Sequence, residues 1–223
     1  MMRLWMFSSG EAEDNEDMDE DLFHEIDRKR PQITFIPAHQ DDALICYDEF
    51  IERFAHYDYI KFRMLDLESP VTQKELRKTL QSDLIYLSGG NTFHFLKYLR
   101  SSGFINELRY YAKSGGLIAG HSAGAILMTP HIRTASFPYF DRDENEVGIK
   151  NFIAMRLVKF EFFPHYVNNI RYSDALVMAS KKCHWPIYAA ADGGGVAITD
   201  KGLRVYGKVW AFFQGKKFKI GFR

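Results

Sequence analysis

Hydrophobic and polar positions follow two rhythms over the first 130 or so residues of the chain. Short apolar runs bounded by Gly, Pro, Ser or Asn read as buried strands. Stretches of about ten residues with apolar positions three and four apart read as helices. Leu4 to Phe7 is the first expected strand, closed by Ser8-Ser9-Gly10, and a helix is expected near Leu22 to Asp27. Ile33 to Ile36 before Pro37, Tyr59 to Leu65 and Leu84 to Leu87 follow as strands. Between them lie helical stretches at Tyr47 to Ala55, with Phe50, Ile51 and Phe54 on one face, and at Val71 to Leu80, with Thr72 as its cap. Helices near Phe93 to Arg100 and Ile105 to Lys113 lead to a strand at Gly116 to Gly120, which runs into Ser122 and a short helix ending at Met128.

Strands alternating with helices imply βαβ units and a mainly parallel sheet. The C-terminal third changes rhythm. Arg156 to Phe163, Ile187 to Ala190, Gly194 to Ile198, Arg204 to Trp210 and Lys216 to Phe222 read as short strands with tight turns, a β-rich edge on an α/β fold. No internal repeat and no linker interrupts the chain, so the expectation is one α/β domain over residues 1–223.

Composition narrows the function classes. Lys plus Arg and Asp plus Glu both number 29, giving no basic field to attract nucleic acid. Eight acids crowd positions 11–21, read as a solvated loop feeding the first helix, with cation or basic-partner binding as the alternative. Cys46 and Cys183 fit neither a disulfide framework nor a zinc pattern. The short apolar start lacks the long core of a signal peptide, and no stretch approaches the roughly 20 apolar residues of a membrane span. A soluble cytoplasmic protein is expected, without membrane or nucleic-acid partners, as a monomer or homodimer.

The chemistry concentrates on Gly120-His121-Ser122-Ala123-Gly124. Gly-x-Ser-x-Gly between a strand and a helix lifts a serine hydroxyl off the sheet on a sharp turn, with small neighbours that let backbone and substrate approach. A second glycine turn, Gly89-Gly90-Asn91-Thr92, ends the preceding strand. Ligands of parallel sheets bind outside the carboxyl ends of the strands, so both turns belong to one edge. The amides of Gly90 and Ala123 are candidates for a two-donor oxyanion hole. Asn91 and Thr92 are either helix caps or substrate contacts. His121 adjoins Ser122 but is expected to project away from its hydroxyl. His39, His131 and His184 read as structural.

Three segments together, Ser88-Gly89-Gly90-Asn91-Thr92-Phe93, Gly120-His121-Ser122-Ala123-Gly124-Ala125 and Phe163-Pro164-His165-Tyr166, resemble the dipeptidase E (α-aspartyl dipeptidase) family of serine peptidases, related to cyanophycinases. The resemblance covers nearly the whole chain. It implies a three-layer α/β sandwich like that of class I glutamine amidotransferases, with no metal or organic cofactor. It also implies hydrolysis of dipeptides or short peptides through an acyl-enzyme. Carried over, Ser122 is the nucleophile, His165 the base and Asp192, where peptidase E has glutamate, the acid that orients the imidazole. From the residues alone, His165 at a strand end and Asp192 before three glycines also fit a surface histidine and a turn aspartate.

Two departures stand out. Peptidase E carries another aspartate about fifteen residues past its serine, where this chain has Phe137, with Asp141, Asp143 and Glu144 nearby as substitutes. The segment between His165 and Asp192 is shorter than in aspartyl dipeptidases and lacks their basic residue for the substrate's aspartate, for which Arg171 is the stand-in. A silent member that binds a peptide or amino acid is the alternative from another class. An amidotransferase would need cysteine at the position of Ser122.

Overall fold

The computed structural model describes residues 2–221. Five strands, β1 (Arg3–Phe7), β2 (Gln32–Ile36), β3 (Lys61–Met64), β4 (Leu84–Leu87) and β5 (Leu117–His121), run parallel in the order β3-β2-β4-β5-β1. The C-terminal strands are β6 (Glu161–Phe163), β7 (Ile187–Ala190), β8 (Gly195–Thr199), β9 (Gly202–Tyr206), β10 (Val209–Phe213) and β11 (Lys216–Gly221). β8 and β9 extend the central sheet past β1 as antiparallel strands, and the other four form a second sheet in the order β11-β10-β7-β6.

Alternation of side chains along each strand assigns the layers. Leu4 and Met6 of β1 point to one face with Ile85, Leu87 and Ile118. Helices α3 (Gln73–Thr79), α4 (Thr92–Ser101), α5 (Phe104–Lys113) and α6 (Ala123–Ile126) cover that face through Leu76, Phe95, Leu99, Phe104 and Leu108. Trp5 and Phe7 point the other way with Phe35, Tyr86 and Ala119, under α1 (Glu16–Ile26) and α2 (Ala43–Arg53). Helices on both faces of a mostly parallel sheet make the expected three-layer α/β sandwich, the class I glutamine amidotransferase-like fold. The Thr72 cap is present as a capping box with Glu75.

Four expectations change. The acidic stretch is not a loop throughout: α1 begins at Glu16, with Met18, Leu22 and Ile26 buried four residues apart and Asp19 paired to Arg53 of α2 at 2.7 and 2.8 Å. The long strand expected at Arg156 to Phe163 shrinks to Glu161–Phe163. The amides of Met155, Arg156 and Leu157 donate instead to carbonyls at Leu127, Thr129 and Met128, leaving no ladder to form. Arg204 to Trp210 is two strands in two sheets, split at Gly207 and Lys208. The β-rich edge is therefore mostly a separate sheet, and the end of the last expected strand, Phe222, lies outside the described residues.

Helix α7 (Ile170–Ser180) has no clear apolar stripe in the sequence, since Ile170 and Met178 face solvent while Leu176 and Ser180 are buried. Its start is set by Asn169, whose side chain accepts the Tyr172 amide. It covers the second sheet through Leu176, against Phe163, Tyr166, Ile187 and Phe212.

Candidate active site

Ser122 stands between β5 and α6 with φ 49° and ψ −108°, a region that costs an L-residue energy and persists only when the surroundings enforce it. Here they do. The Ser122 amide donates to Phe7 O of β1 at 3.0 Å, and the Gly124 amide donates to Ser88 O after β4 at 3.0 Å. Gly124 is packed so tightly that a Cβ there would sit 2.2 Å from Leu87 O. The second glycine of the sequence pattern is thus a requirement of sheet contact, and it draws the serine turn against the neighbouring strand.

The β4–α4 turn lies alongside. Gly90 has φ +129°, and a Cβ on it would meet Ala38 Cβ at 2.8 Å, so no other residue fits without moving the loop after β2. Ser88 Oγ clamps the same place, accepting the Ala38 amide at 2.7 Å and donating to Gly89 O at 2.8 Å. Neither the Gly90 nor the Ala123 amide is committed to another protein group among the described residues.

His165 comes from the second sheet, one residue past Pro164 at the end of β6, with φ 55°. Its Nε2 is 2.8 Å from Ser122 Oγ and its Nδ1 is 3.1 Å from Asp192 Oδ1. With Nδ1–H donating to the carboxylate, Nε2 carries the lone pair that accepts the serine O–H. Both partners are substantially exposed, 44% for His165 and 55% for Asp192, so this ion pair contributes little to stability and its consequence is orientation of the ring. Asp192 sits on the turn after β7, anchored by the Gly193 amide donating to Ser9 O at 2.7 Å.

Sequence reasoning missed Ser8. Fully buried at the end of β1, its hydroxyl donates to Ala190 O at 2.9 Å, accepts the His165 amide at 2.7 Å, and lies 3.3 Å from Asp192 Oδ1. One side chain thereby ties the central sheet to the two C-terminal residues of the hydrogen-bonded line. Its only signal in the sequence was the position after an apolar strand.

His121 behaves as expected. Its ring lies beside Gly89, its Nε2 is buried without a hydrogen-bond partner, and it is His165 that meets the Ser122 hydroxyl. Burial, assisted by Arg53 and His165, lowers its pKa to about 4, so it stays neutral near neutral pH. His131 pairs with buried Glu161 at 3.3 Å, and burial pushes that carboxyl above its usual range despite the histidine. His184 stacks edge-on with Trp185.

Two cavities flank the serine, both lined by Gly90, Ser122 and His165. One, of about 620 Å³, is walled by Thr92, Tyr139, Phe140, Asp141, Arg142 and Asp143, among others. The other, of about 780 Å³, carries Glu11, Glu13, Asp42, Glu49 and Glu52, with Arg53 already engaged by Asp19.

The expected substrate contacts are mostly committed to the fold. Asn91 spends its carbonyl oxygen on the His94 amide and its NH₂ on Glu144 O. Thr92 lines the cavity, but its amide donates to Asp143 at 2.8 Å. Arg171 lies exposed on the first turn of α7, stacked over the ring of the cavity-lining Phe140 at 3.5 Å, and is not itself among the residues that line the cavity. The arginine that lines the cavity is Arg142, paired with Glu144. Asp143 caps α4, and Asp141 accepts from the Tyr172 hydroxyl, whose pKa burial and that carboxylate push up to about 12. Phe137, at the position of the absent aspartate, stacks on Phe163.

Comparison with known proteins places this arrangement. The model of peptidase family S51 matches residues 4–206, which takes in the Gly90 and Ser122 turns, His165 and Asp192. The chain belongs to peptidase family S51. Among curated members of similar sequence, an uncharacterized peptidase of Pasteurella multocida is 31% identical over 145 residues, 61% of this chain and 65% of the relative. An uncharacterized peptidase of Listeria monocytogenes is 31% identical over 137 residues, 61% of this chain and 66% of the relative. The match therefore spans a little under two thirds of those relatives' lengths. Peptidase E of Escherichia coli is 34% identical over 87 residues, 39% of this chain and 35% of the relative. Among solved structures, a candidate peptidase E from Listeria monocytogenes superposes with a TM-score of 0.72 at 25% identity, covering 92% of this chain and 98% of that one. A peptidase from an acI-B1 actinobacterium shares the fold with a TM-score of 0.71 at 17% identity. No helix among the described residues is long and apolar enough to cross a membrane.

Proposed function

We propose that this S51-family chain is a serine peptidase that cleaves dipeptides or other short peptides through an acyl-enzyme on Ser122. The observation that carries the reading is the unbroken line from Ser122 Oγ through the His165 ring to Asp192, at 2.8 and 3.1 Å. In the acylation step Ser122 Oγ attacks the scissile carbonyl carbon as its proton passes to His165 Nε2. The developing oxyanion meets the Gly90 and Ala123 amides. Collapse breaks the C–N bond, and the imidazolium returns the proton to the leaving amine. Water, deprotonated by the same nitrogen, then attacks the ester, releasing the acid and restoring the serine.

The two cavities are of the size that holds small ligands rather than folded chains. Specificity for an N-terminal aspartate has little support, because Arg171 stacks on Phe140 and lines neither cavity, and the larger cavity is rimmed by acids. That rim suits a cationic group such as a peptide's α-ammonium. No cofactor enters the scheme. The test is Ser122→Ala: hydrolysis across a library of dipeptides varied at the first residue should fall by about 10⁴–10⁶-fold, with phosphonofluoridate labelling lost and the melting temperature retained. A labelled, active Ser122→Ala protein would exclude Ser122 as the nucleophile and point to another, whereas wild type inactive and unlabelled across the library would favour a binding protein.

A further inference from the structure

A second cluster of chemically capable side chains lies beside the Gly90 turn. His39 follows β2, Glu68 lies in the β3–α3 loop, and His94 is on the first turn of α4. Each brings one ligating atom to within 4.8 Å of the others. Glu68 is the hub, with Oε1 3.7 Å from His39 Nδ1 and Oε2 3.6 Å from His94 Nε2. A tetrahedral zinc ion with bonds of about 2.0–2.2 Å holds its donors roughly 3.3–3.5 Å apart, so small side-chain shifts convert this cluster into a coordination set. We propose that His39, Glu68 and His94 bind a divalent transition metal, with zinc as the best fit, through side chains distinct from Ser122, His165 and Asp192, with His39 on the wall of the larger cavity that Ser122 also lines.

Three further observations support it. His94 Nδ1 lies 3.0 Å from Ala38 O, and donation to that carbonyl leaves the lone pair on Nε2, the atom beside Glu68. Metal-binding histidines are usually oriented by such a bond from the other ring nitrogen. The Glu68 loop is itself ordered, because Asp66 accepts the Glu68 amide at 2.8 Å and the Ser69 hydroxyl at 2.6 Å. The side chains of Glu68 and His94 are only 15% and 12% exposed, whereas His39, at 37%, leaves an approach from solvent. Two bonds compete: His39 Nδ1 accepts the Asp41 amide at 3.0 Å and must give it up to coordinate, and Glu68 Oε1 accepts the Gln40 amide at 2.5 Å, which leaves Oε2 as the freer carboxylate donor.

Two imidazoles and one carboxylate leave a fourth position for water or another oxygen ligand. The ion would cross-link the loop after β2, the β3–α3 loop and α4. The first and last of these pack around Gly90 through Ala38 and the Ser88 hydroxyl. Metal binding is thus expected to stiffen the turn beside Ser122.

Tag-free protein, stripped by a chelator and dialysed, is titrated with zinc by calorimetry and with cobalt by visible absorption. The expected result is one zinc per chain, a tetrahedral cobalt spectrum, and a melting temperature raised by roughly 5–10 °C at a hundredfold excess over Kd. Glu68→Gln and His94→Ala should each weaken binding by about 10–100-fold or more. Ser122→Ala should bind as wild type does, keeping this test independent of the peptidase reading. Circular dichroism establishes that the variants fold, and Glu68→Gln keeps the test decisive if His94→Ala does not. Failure of wild type to bind zinc, or equal affinity in Glu68→Gln, overturns the proposal.

Discussion

Ser122 and Gly90 sit at the ends of parallel strands in the central sheet, whereas His165 and Asp192 belong to the second sheet and reach Ser122 across a seam. The first pair is fixed by main-chain contacts of very short range: Gly124 against Leu87, Gly90 against Ala38, and amides donating to Phe7 O and Ser88 O. The second pair depends on two sheets docking, with Ser8 as the shared hydrogen-bond partner. A serine so held moves only with its sheet. A histidine so held moves with the interface, which makes the seam the more adjustable part of the site.

Four changes break or sharpen this contrast, in falling order of expected effect. Asp192→Asn leaves Ser122 untouched but removes the charge that orients His165, and should lower kcat by about 10²–10⁴-fold, read in steady-state kinetics. Retained kcat would mean that the seam positions the imidazole without the acid. Gly124→Ala strikes the opposite half, forcing a methyl into Leu87 O, and should cost about 2–3 kcal/mol in denaturant unfolding. An unchanged midpoint would show that the serine turn is looser than its packing.

The third concerns pH. His121 has a folded pKa of about 4, lowered mainly by burial, against about 6.5 when unfolded. The unfolded chain therefore binds more protons between these values, and the stability this group contributes is complete above about pH 6.5 and lost as the pH falls towards 4. Wild type should lose about 2 kcal/mol between pH 7 and pH 5 from this residue, and His121→Gln should lose less by that amount, measured by urea unfolding at both pH values. The smallest effect is expected for Ser8→Ala: about 1–2 kcal/mol of stability and a drop of about tenfold in kcat with KM little changed. A KM effect alone would place Ser8 in support of substrate binding instead of His165.

The parallel half was legible in the sequence because its signals are local. Strands buried on both faces appear as unbroken apolar runs, and a glycine flanking a serine marks the close approach that Gly124 makes to Leu87. The C-terminal half was less legible. Arg204 to Trp210 looked like one strand because nothing in its composition says that β9 pairs with β8 and β10 with β7. Helix α7 was hidden because its outer face carries Ile170 and Met178, erasing the periodicity. Arg171 was chosen by charge and position, yet cation stacking on Phe140 claimed it.

What the sequence determined by itself was the layered fold and the turn that carries Ser122, since both follow from short-range pattern and motif, whereas His165 and Asp192 entered only through the family resemblance. Only the tertiary structure decided which polar groups remained free. Asn91 was spent on Glu144 O and the His94 amide and Asp143 on the Thr92 amide, while Ser8 joined two sheets over a separation of 157 residues from His165. It likewise brought His39, Glu68 and His94 from three segments to one place. Hydrogen-bond capacity is finite, and its allocation depends on which loops pack together, a property of the folded whole.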